Sequence, residues 1–488
     1  MIDPLQAVET SLSLIMEVDS DPSFHYRRNF LRCRVAETLG FLREKSKALA
    51  LIKHVQDASS TNPTLHREVG VTLAKLGSTF NDRKLFQKAT SLAENLPPSH
   101  KAYVIRTCII EYANMCQRLT ESLPLDEIKQ HLSFPLLLMD TLKEPISKKL
   151  VYSALISLYG FLTRVYKHSS FVKDASNLYQ MLNSLKLPLK DILDESMDLS
   201  DIYYYWEDLE AGLSLLKDEL KKIRQLENDL NETLQGILNR SFRGIDVEKI
   251  LVTQEEIITG YSKISKAFLM FNDYPTWYFC ISRAWNVLEG IDKDFVEVIV
   301  GKGCEIYTHT FEGIRRAEQD IPSNLLTQIT SLSFSKIDYL QKMILNRQEK
   351  DAGLVWVSLL KISKALLVSR NDSLARELST QLPSTVHELK IFDATKLYLD
   401  LAEYAQDLSY LDPLLEVISS GLNPQGVYIV RVNCELAEGF SRLSLILQDP
   451  SLVEQAVSFI NAVRNHSYRL DCVNAWLRIA EAAFEFSI

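Results

Sequence analysis

The chain has 488 residues, of which 46% are hydrophobic and 24% charged, and its formal net charge is −9. These proportions are those of an ordinary globular protein, so they exclude a wholly disordered or collagen-like chain. The negative charge also argues against a nucleic-acid-binding protein, because neutralising phosphates requires clustered lysine and arginine.

Glycine and proline are scarce, at 16 and 15 residues, which indicates helices joined by short turns. The seven cysteines are scattered without a CxxC pair, as expected for small apolar residues in a reducing compartment. Asp3 and Glu9 occupy the first residues, where a secretion signal would be basic, and no apolar run reaches the roughly 18 residues that cross a bilayer. The sequence therefore predicts a soluble cytoplasmic protein that does not enter membranes.

The first elements along the chain repeat with a period of 41 residues. Ala7, Ala48 and Ala89 are spaced by that period, each inside a short amphipathic stretch that is followed by a turn and a longer stretch. In the longer stretch at 104–116, apolar residues recur three and four apart, which is the helical period. Pairs of helices this short cannot bury an apolar face alone, so we expect neighbouring pairs to stack.

An arginine cluster lies in the second stretch of the first repeat, "HYRRNFLRCR". Clustered charges usually form a solvated or salt-bridged helix face. The alternative is that this cluster is a patch that binds a partner. We take its arginines as candidate partner-binding residues: Arg27, Arg28, Arg32 and Arg34.

Further repeats are expected near Phe134 and at Ala175, but between about 200 and 240 the period fails. Leucines and isoleucines from Leu209 to Ile237 are spaced by threes and fours, which predicts a heptad-like seam on one long helix. This helix either packs between the two halves of a solenoid or serves self-association through 209–237. The predicted domains are an N-terminal helical-repeat solenoid at 1–195, a long connecting helix at 196–245 and a C-terminal helical-repeat solenoid at 246–488.

Four consecutive aromatic residues precede this seam, in "IYYYWEDL". On a helix they point in nearly all directions, so one or two should be exposed rather than packed in the core. Tyrosine and tryptophan anchor many interfaces. The candidate partner-binding residues here are Tyr203, Tyr204, Tyr205 and Trp206.

The repeat resumes toward the C-terminus, with expected anchors at Ala284, Ala375, Leu415 and Ala456. The stretch 295–311, "FVEVIVGKGCEIYTHTF", alternates like a hairpin around Gly-Lys-Gly. The repeat register instead predicts the second helix of a pair, and we favour that helix because tertiary context often overrides local propensity.

Motifs for catalysis or for metal and cofactor binding were not found. No HExxH, P-loop, GxSxG or GxGxxG pattern occurs, so the sequence predicts no catalytic residue, no metal ligand and no cofactor. The expectation is a protein that is not an enzyme.

The pattern resembles helical-repeat solenoids such as tetratricopeptide and HEAT or armadillo arrays, over nearly the whole chain and as architecture more than sequence. A period of 41 exceeds the 34 of a tetratricopeptide unit and lies near the 40 to 47 of HEAT. The predicted fold class is all-α, an α-solenoid of stacked helical hairpins.

The resemblance implies a groove that binds a protein or peptide segment. The expected function is a non-enzymatic scaffold for protein–protein interaction. The alternative is a regulatory or sensor module that encloses a peptide or small ligand and signals through the long central helix.

Overall fold

The structure is a computed structural model whose described regular elements are all helical. It describes residues 2–17, 24–58, 62–120, 123–238, 247–317, 321–347, 351–381, 388–421, 427–463 and 470–487. These residues contain no β-strand, which confirms the predicted all-α class.

The α-helices follow one another with short connections. In chain order they are α1 (Pro4–Met16), α2 (His25–Phe41), α3 (Lys45–Ala58), α4 (Pro63–Thr79), α5 (Arg83–Ala93), α6 (Pro98–Leu119), α7 (Leu125–Met139), α8 (Pro145–Tyr166), α9 (Ser169–Asn183), α10 (Leu193–Tyr205), α11 (Leu209–Leu238), α12 (Val247–Met270), α13 (Tyr274–Glu289), α14 (Val296–Ala317), α15 (Ser323–Leu345), α16 (Ala352–Val368), α17 (Asp372–Ser379), α18 (Glu388–Ala405), α19 (Asp412–Gly421), α20 (Val427–Leu447), α21 (Ser451–Asn461) and α22 (Cys472–Glu485).

The helices pack as hairpins, with an odd-numbered first helix and an even-numbered second helix. A second helix contacts its own first helix and also the second helices of neighbouring hairpins, as α4 contacts α3, α2 and α6. This is the packing of an α-solenoid, in which each hairpin completes the core of the next.

The chain forms two compact units. Unit 1 comprises Met1–Leu158 together with Ala405–Ile488, and unit 2 comprises Tyr159–Tyr404. In unit 1 the last helix, α22, packs on α1 and α2, so the first hairpin follows the last one in the stack. The bounds of these units, at 158 and 405, differ from those of the predicted domains, at 195 and 245. The predicted division into three domains stays a prediction.

The predicted alanine anchors lie in the first helices and are buried. Each has 1% or less of its surface exposed: Ala7, Ala48, Ala89, Ala175, Ala284, Ala375 and Ala456. The anchor expected at Leu415 is wrong by one residue, since Leu414 is fully buried and Leu415 is half-buried. Leu414 lies eight residues after the positive-φ residue Gln406, the same offset that separates Ala89 from Asn81 and Ala456 from Gln448.

A left-handed turn residue ends most second helices. The residue after it donates its backbone N–H to the carbonyl five positions earlier, as Asp82 does to Gly77 at 2.8 Å and Asp449 to Ser444 at 2.9 Å. The non-glycine residues with positive φ are Arg43, Asn81, Lys167, Lys186, Glu207, Asn272, Arg370, Gln406 and Gln448.

The residue after this turn often caps the next first helix. The Asp82 carboxylate accepts the backbone N–H of Lys84 at 3.0 Å, and that of Asp449 accepts the N–H of Ser451 at 2.9 Å. The turn and the cap together let a second helix reverse directly into the next hairpin.

The single long helix predicted across 196–245 is two helices in the structure. α10 ends at Tyr205 and α11 begins at Leu209, because Glu207 has a φ of 64° and Asp208 caps α11 through the N–H of Ala211 at 3.1 Å. α11 is an elongated first helix, about 45 Å long, that packs on α10 and α12. Residues 239–245 lie outside the described residues.

The helix favoured for 295–311 is confirmed, because α14 runs through it. Gly303 of the Gly-Lys-Gly stretch serves close packing, since a Cβ there would collide with the Leu340 side chain of α15. Gly301 has open space around its Cα. Gly303 therefore lies where α14 and α15 pack closely.

Replacing Ala89 with leucine should destabilise unit 1. The larger side chain must fit where Ala89 has no exposed surface, and overpacking of this kind costs about 1–3 kcal/mol. Urea unfolding followed by circular dichroism measures the effect. Lys88→Leu is the matched control, because Lys88 is exposed on the same helix and should leave the midpoint almost unchanged. Equal midpoints for the two variants would contradict the role of Ala89 as the packing anchor.

Replacing Arg370 with glycine should give a more stable protein than replacing it with alanine. Arg370 is exposed and has a φ of 60°, a conformation that costs an L-residue about 1 kcal/mol and costs glycine almost nothing. Both substitutions remove the same side chain, so the difference between their thermal unfolding midpoints isolates the backbone. An alanine variant at least as stable as the glycine variant would count against a strained turn.

Candidate functional site

Charged side chains occupy one recurring position on the second helices. In the described residues, the sixth residue before the positive-φ turn residue is charged at seven of the eight such turns that follow second helices, namely at Glu37, Lys75, Asp201, Lys266, Lys364, Asp400 and Arg442. Neighbouring second helices pair through this position. Lys75 lies 2.9 Å from Glu37, Lys364 lies 2.5 Å from Asp400, and Lys266 pairs with Glu312 of α14. Such pairs contribute little stability, so we infer that they fix the alignment of adjacent hairpins.

The four predicted aromatic residues lie at the end of α10 in unit 2. Tyr204 and Tyr205 are exposed, at 38% and 51%, whereas Tyr203 and Trp206 are half-buried. The Tyr203 hydroxyl donates to Ser176 Oγ at 3.1 Å. Two of the four side chains therefore present a surface to solvent.

The exposed tyrosines form an aromatic cluster. The rings of Tyr204 and Tyr205 meet edge to face at 5.9 Å, and Tyr204 meets Phe271 at 5.5 Å. The guanidinium of Arg164 lies over the Tyr205 ring, 4.4 Å from its centre. Tyr205 thus already accepts one cation on its ring.

An acidic stripe continues along α10 from this cluster. Asp194, Asp198 and Asp201 are spaced by four and three residues, so they lie on one face of the helix. Lys263 pairs with Asp194 at 2.7 Å. Within the described part of the chain, neither Asp198 nor Asp201 has a hydrogen bond or an ion pair.

The surroundings of Asp198 disfavour its charge. Desolvation by the packed neighbouring atoms, and then the negative charges of Asp201, Glu195 and Asp194, raise the pKa of Asp198 to about 6, while Arg164 lowers it. Asp198 keeps an exposed surface, so this desolvation is partial. Desolvation by burial also raises the pKa of Asp201, while the positive charges of Arg164 and Arg316 lower it. α10 therefore carries negative charge that Arg164 and Arg316 compensate only in part.

The seam of α11 is used inside unit 2. Leu216, Leu220, Ile223 and Leu230 are buried, but Leu209 is 49% exposed. Two glutamates lie buried among these leucines, contrary to a wholly solvated charged face. The Tyr179 hydroxyl donates to Glu219 at 2.7 Å, and the Tyr261 hydroxyl donates to Glu227 at 2.6 Å. Burial and the nearby carboxylates raise the pKa of both tyrosines, so these bonds are structural.

His309 of α14 is the most strongly perturbed histidine in the described segments. Desolvation, together with the charges of Lys266, Lys263 and Lys302, lowers its pKa to about 3. Its Nδ1 lies 3.0 Å from Ser262 Oγ. The imidazole is therefore neutral near pH 7 and serves as a hydrogen-bonding group between α12 and α14.

The four predicted arginines lie on α2 in unit 1 and do not form one patch. Arg28 and Arg32 are buried, at 6% and 9% exposed. Arg32 donates to Asn29 Oδ1 at 3.1 Å, and Arg27 pairs with Asp471 beside α22. Arg34 is partly exposed, donates to Glu37 at 2.9 Å and stacks over Phe30 at 5.5 Å.

Arg34 borders a cavity of about 440 Å³ between α2, α20 and α22. Its polar lining comes from residues far apart in the sequence: Arg34, Glu37, Thr38, Glu438, Asn474, Arg478 and Glu481. Of these, sequence reasoning identified only Arg34. The available signal was the repeat of "RVAE" at 34–37 as "RIAE" at 478–481.

The described segments contain no metal-ligand group, no membrane-spanning helix and no disulfide. No three His, Cys, Asp or Glu side chains there are grouped as metal ligands. None of the described helices is long and apolar enough to cross a membrane. All seven cysteines are buried and free of disulfides.

Comparison with known proteins gives no family. No protein-family model matches the chain, and no curated protein matches it. Among solved structures, a circular tandem repeat protein with novel repeat topology and enhanced subunit contact surfaces aligns with 99% of this chain and 97% of its own. The TM-score is 0.28 and the identity 10%, so the helical-repeat assignment rests on the packing of this chain's own helices.

Replacing Asp198 with asparagine should stabilise the protein at pH 8 and have little effect at pH 4. A folded-state pKa of about 6, raised from 3.8, means that the folded chain holds this proton more tightly than the unfolded chain. Stability is therefore lost as the pH rises from about 4 through 6, and an asparagine cannot lose a proton. Thermal unfolding midpoints at the two pH values test this. Asp218→Asn is the control, since Asp218 is an exposed residue of α11, and a similar pH-dependent gain there would refute the assignment.

Proposed function

We propose that the protein is an interaction scaffold that binds a basic segment of another protein on the α10 face of unit 2. The observation that carries this proposal is the placement of exposed Tyr204 and Tyr205 beside Asp198 and Asp201, two carboxylates without an ion pair in the described part of the chain. Helical-repeat folds commonly serve as scaffolds, and the negative charge of this surface favours a positively charged partner.

A lysine or arginine side chain fits both halves of this surface. Its charge would compensate the carboxylates, and a cation over a tyrosine ring gains about 0.5–1 kcal/mol at exposed sites. Arg164 over Tyr205 is an example of that contact within the protein itself. Exposed Glu207, Asp208 and Glu210 follow at the turn and extend the negative surface. An acidic segment would meet repulsion along the same face.

Other parts of the sequence-based expectation stay predictions. They include the role of Arg27, Arg28, Arg32 and Arg34 in partner binding, the cytoplasmic location and the sensor alternative. Self-association through 209–237 would have to use the exposed side of α11, because the seam residues Leu216, Leu220, Ile223 and Leu230 are buried in unit 2.

The proposal is tested with fluorescent peptides of about ten residues, one carrying four arginines or lysines and one carrying glutamates at the same positions. We expect the basic peptide to bind more tightly in fluorescence anisotropy. Combining Tyr204→Ala with Tyr205→Ala should weaken its binding about tenfold, equivalent to about 1.4 kcal/mol.

Tyr103→Ala provides the matched control. Tyr103 is 39% exposed on α6 and carries Arg106 over its ring at 4.4 Å, the distance found for Arg164 and Tyr205. This variant should bind the basic peptide like the unaltered protein. Equal binding of the two peptides, or equal loss in the control, would refute the proposed surface.

A further inference from the structure

In the cavity of unit 1, two glutamates have all their carboxylate oxygens hydrogen-bonded, whereas two arginines keep unused N–H donors. Glu37 accepts at Oε1 from Thr72 at 3.2 Å and at Oε2 from Arg34 and Lys75, each at 2.9 Å. Both carboxylate oxygens of Glu37 are therefore occupied by the protein.

Glu481 on α22 is satisfied in the same way. Its Oε1 accepts from Thr38 at 2.9 Å and its Oε2 from Arg478 at 2.7 Å. The acidic side of the cavity lining thus has few remaining positions for a cationic ligand at these two residues.

The two arginines of the cavity retain unused donors. Arg34 and Arg478 each donate through a single nitrogen, Nη1, to the glutamate three residues later on their own helix. Their side chains are 43% and 60% exposed. A guanidinium has five N–H donors, so most of each fork is not used within the described part of the chain.

Two further groups extend this donor surface. Asn474 is exposed and makes no hydrogen bond within the described residues, so its amide is also available. The Phe30 ring supports the Arg34 guanidinium from below. Arginine forks on neighbouring helices suit planar oxyanions, because carboxylate and phosphate oxygens match their spacing.

We propose that the cavity between α2, α20 and α22 binds a small organic anion, whose carboxylate or phosphate is held by the guanidinium groups of Arg34 and Arg478. A volume of about 440 Å³ is within the range of small-molecule sites, about 300–1,000 Å³. Glu438 also lines the cavity and carries a negative charge that disfavours a polyanion. We therefore expect a ligand with one or two anionic groups.

Two probes separate the sources of the oxyanion in isothermal titration calorimetry on the full chain. Glutarate presents carboxylates and glycerol 3-phosphate presents a phosphate. We expect saturable binding of at least one probe, and the tighter probe identifies the class of oxyanion. Saturation should also raise the thermal unfolding midpoint, because the ligand binds only the folded protein.

Combining Arg34→Gln with Arg478→Gln should weaken binding at least tenfold. Combining Arg34→Lys with Arg478→Lys should give an intermediate loss, because it keeps the charge and removes the fork. This second variant keeps the test informative if the glutamine pair lowers stability.

Arg224→Gln is the matched control. Arg224 is an exposed arginine of α11 that stacks on Phe279 at 4.4 Å, as Arg34 stacks on Phe30, and it does not line the cavity. It should leave the affinity unchanged. The absence of saturable binding for both probes at 10 mM, or binding that survives the Arg34 and Arg478 substitutions, would overturn the proposal. The test is independent of the basic-segment surface, which lies in unit 2.

Discussion

The distance between neighbouring helices is set by alanines in the first helix of the hairpins. Because seven of these alanines are buried to 1% exposure or less, the helix axes approach more closely than larger side chains would allow. The rest of the packing depends on this regular spacing. Charged residues six positions before the turn face one another on adjacent second helices, as Glu37 and Lys75 do, and variable spacing would prevent that pairing.

The recurring position therefore accounts for seven charged residues on the second helices. Charged groups that are only partly paired are more informative. Asp201 occupies the recurring charged position, but it and Asp198 have no ion pair within the described segments. Arg34 and Arg478 have a glutamate each and still keep unused donors. Charged groups that are crowded or only partly paired in this way are candidates for binding sites.

The sequence was sufficient for the architecture because the anchors repeat and are local. Ala89 and Ala456 could be identified from spacing alone, and the same register correctly favoured a helix at 295–311 over a hairpin. The break at Trp206–Asp208 was missed because a left-handed glutamate has no distinctive sequence signal. The Glu207-Asp208 pair can be recognised only by comparison with Asn81-Asp82, which forms the same turn in the structure.

The candidate sites were less predictable, for two physical reasons. Exposure within an aromatic run depends on neighbouring helices, so the sequence indicated that some of Tyr203–Trp206 face solvent but not that Tyr204 and Tyr205 do. Burial of Arg28, Arg32, Glu219 and Glu227 contradicts the usual behaviour of charged residues, and Glu219 and Glu227 take hydrogen bonds from tyrosines of other helices. The unit 1 cavity joins residues from opposite ends of the chain, so no local pattern could define it.

The contact of α22 with α1 and α2 has a consequence for how the chain folds during synthesis. Arg27 and its partner Asp471 are separated by 444 residues, so α1 and α2 leave the ribosome long before the helix that covers them is made. Closing so long a loop is slow compared with pairing adjacent hairpins. α2 is soon covered by α3 and α4, whereas the face of α1 that packs on α22 stays uncovered through most of translation, and this nascent segment is exposed to non-native contacts for that time.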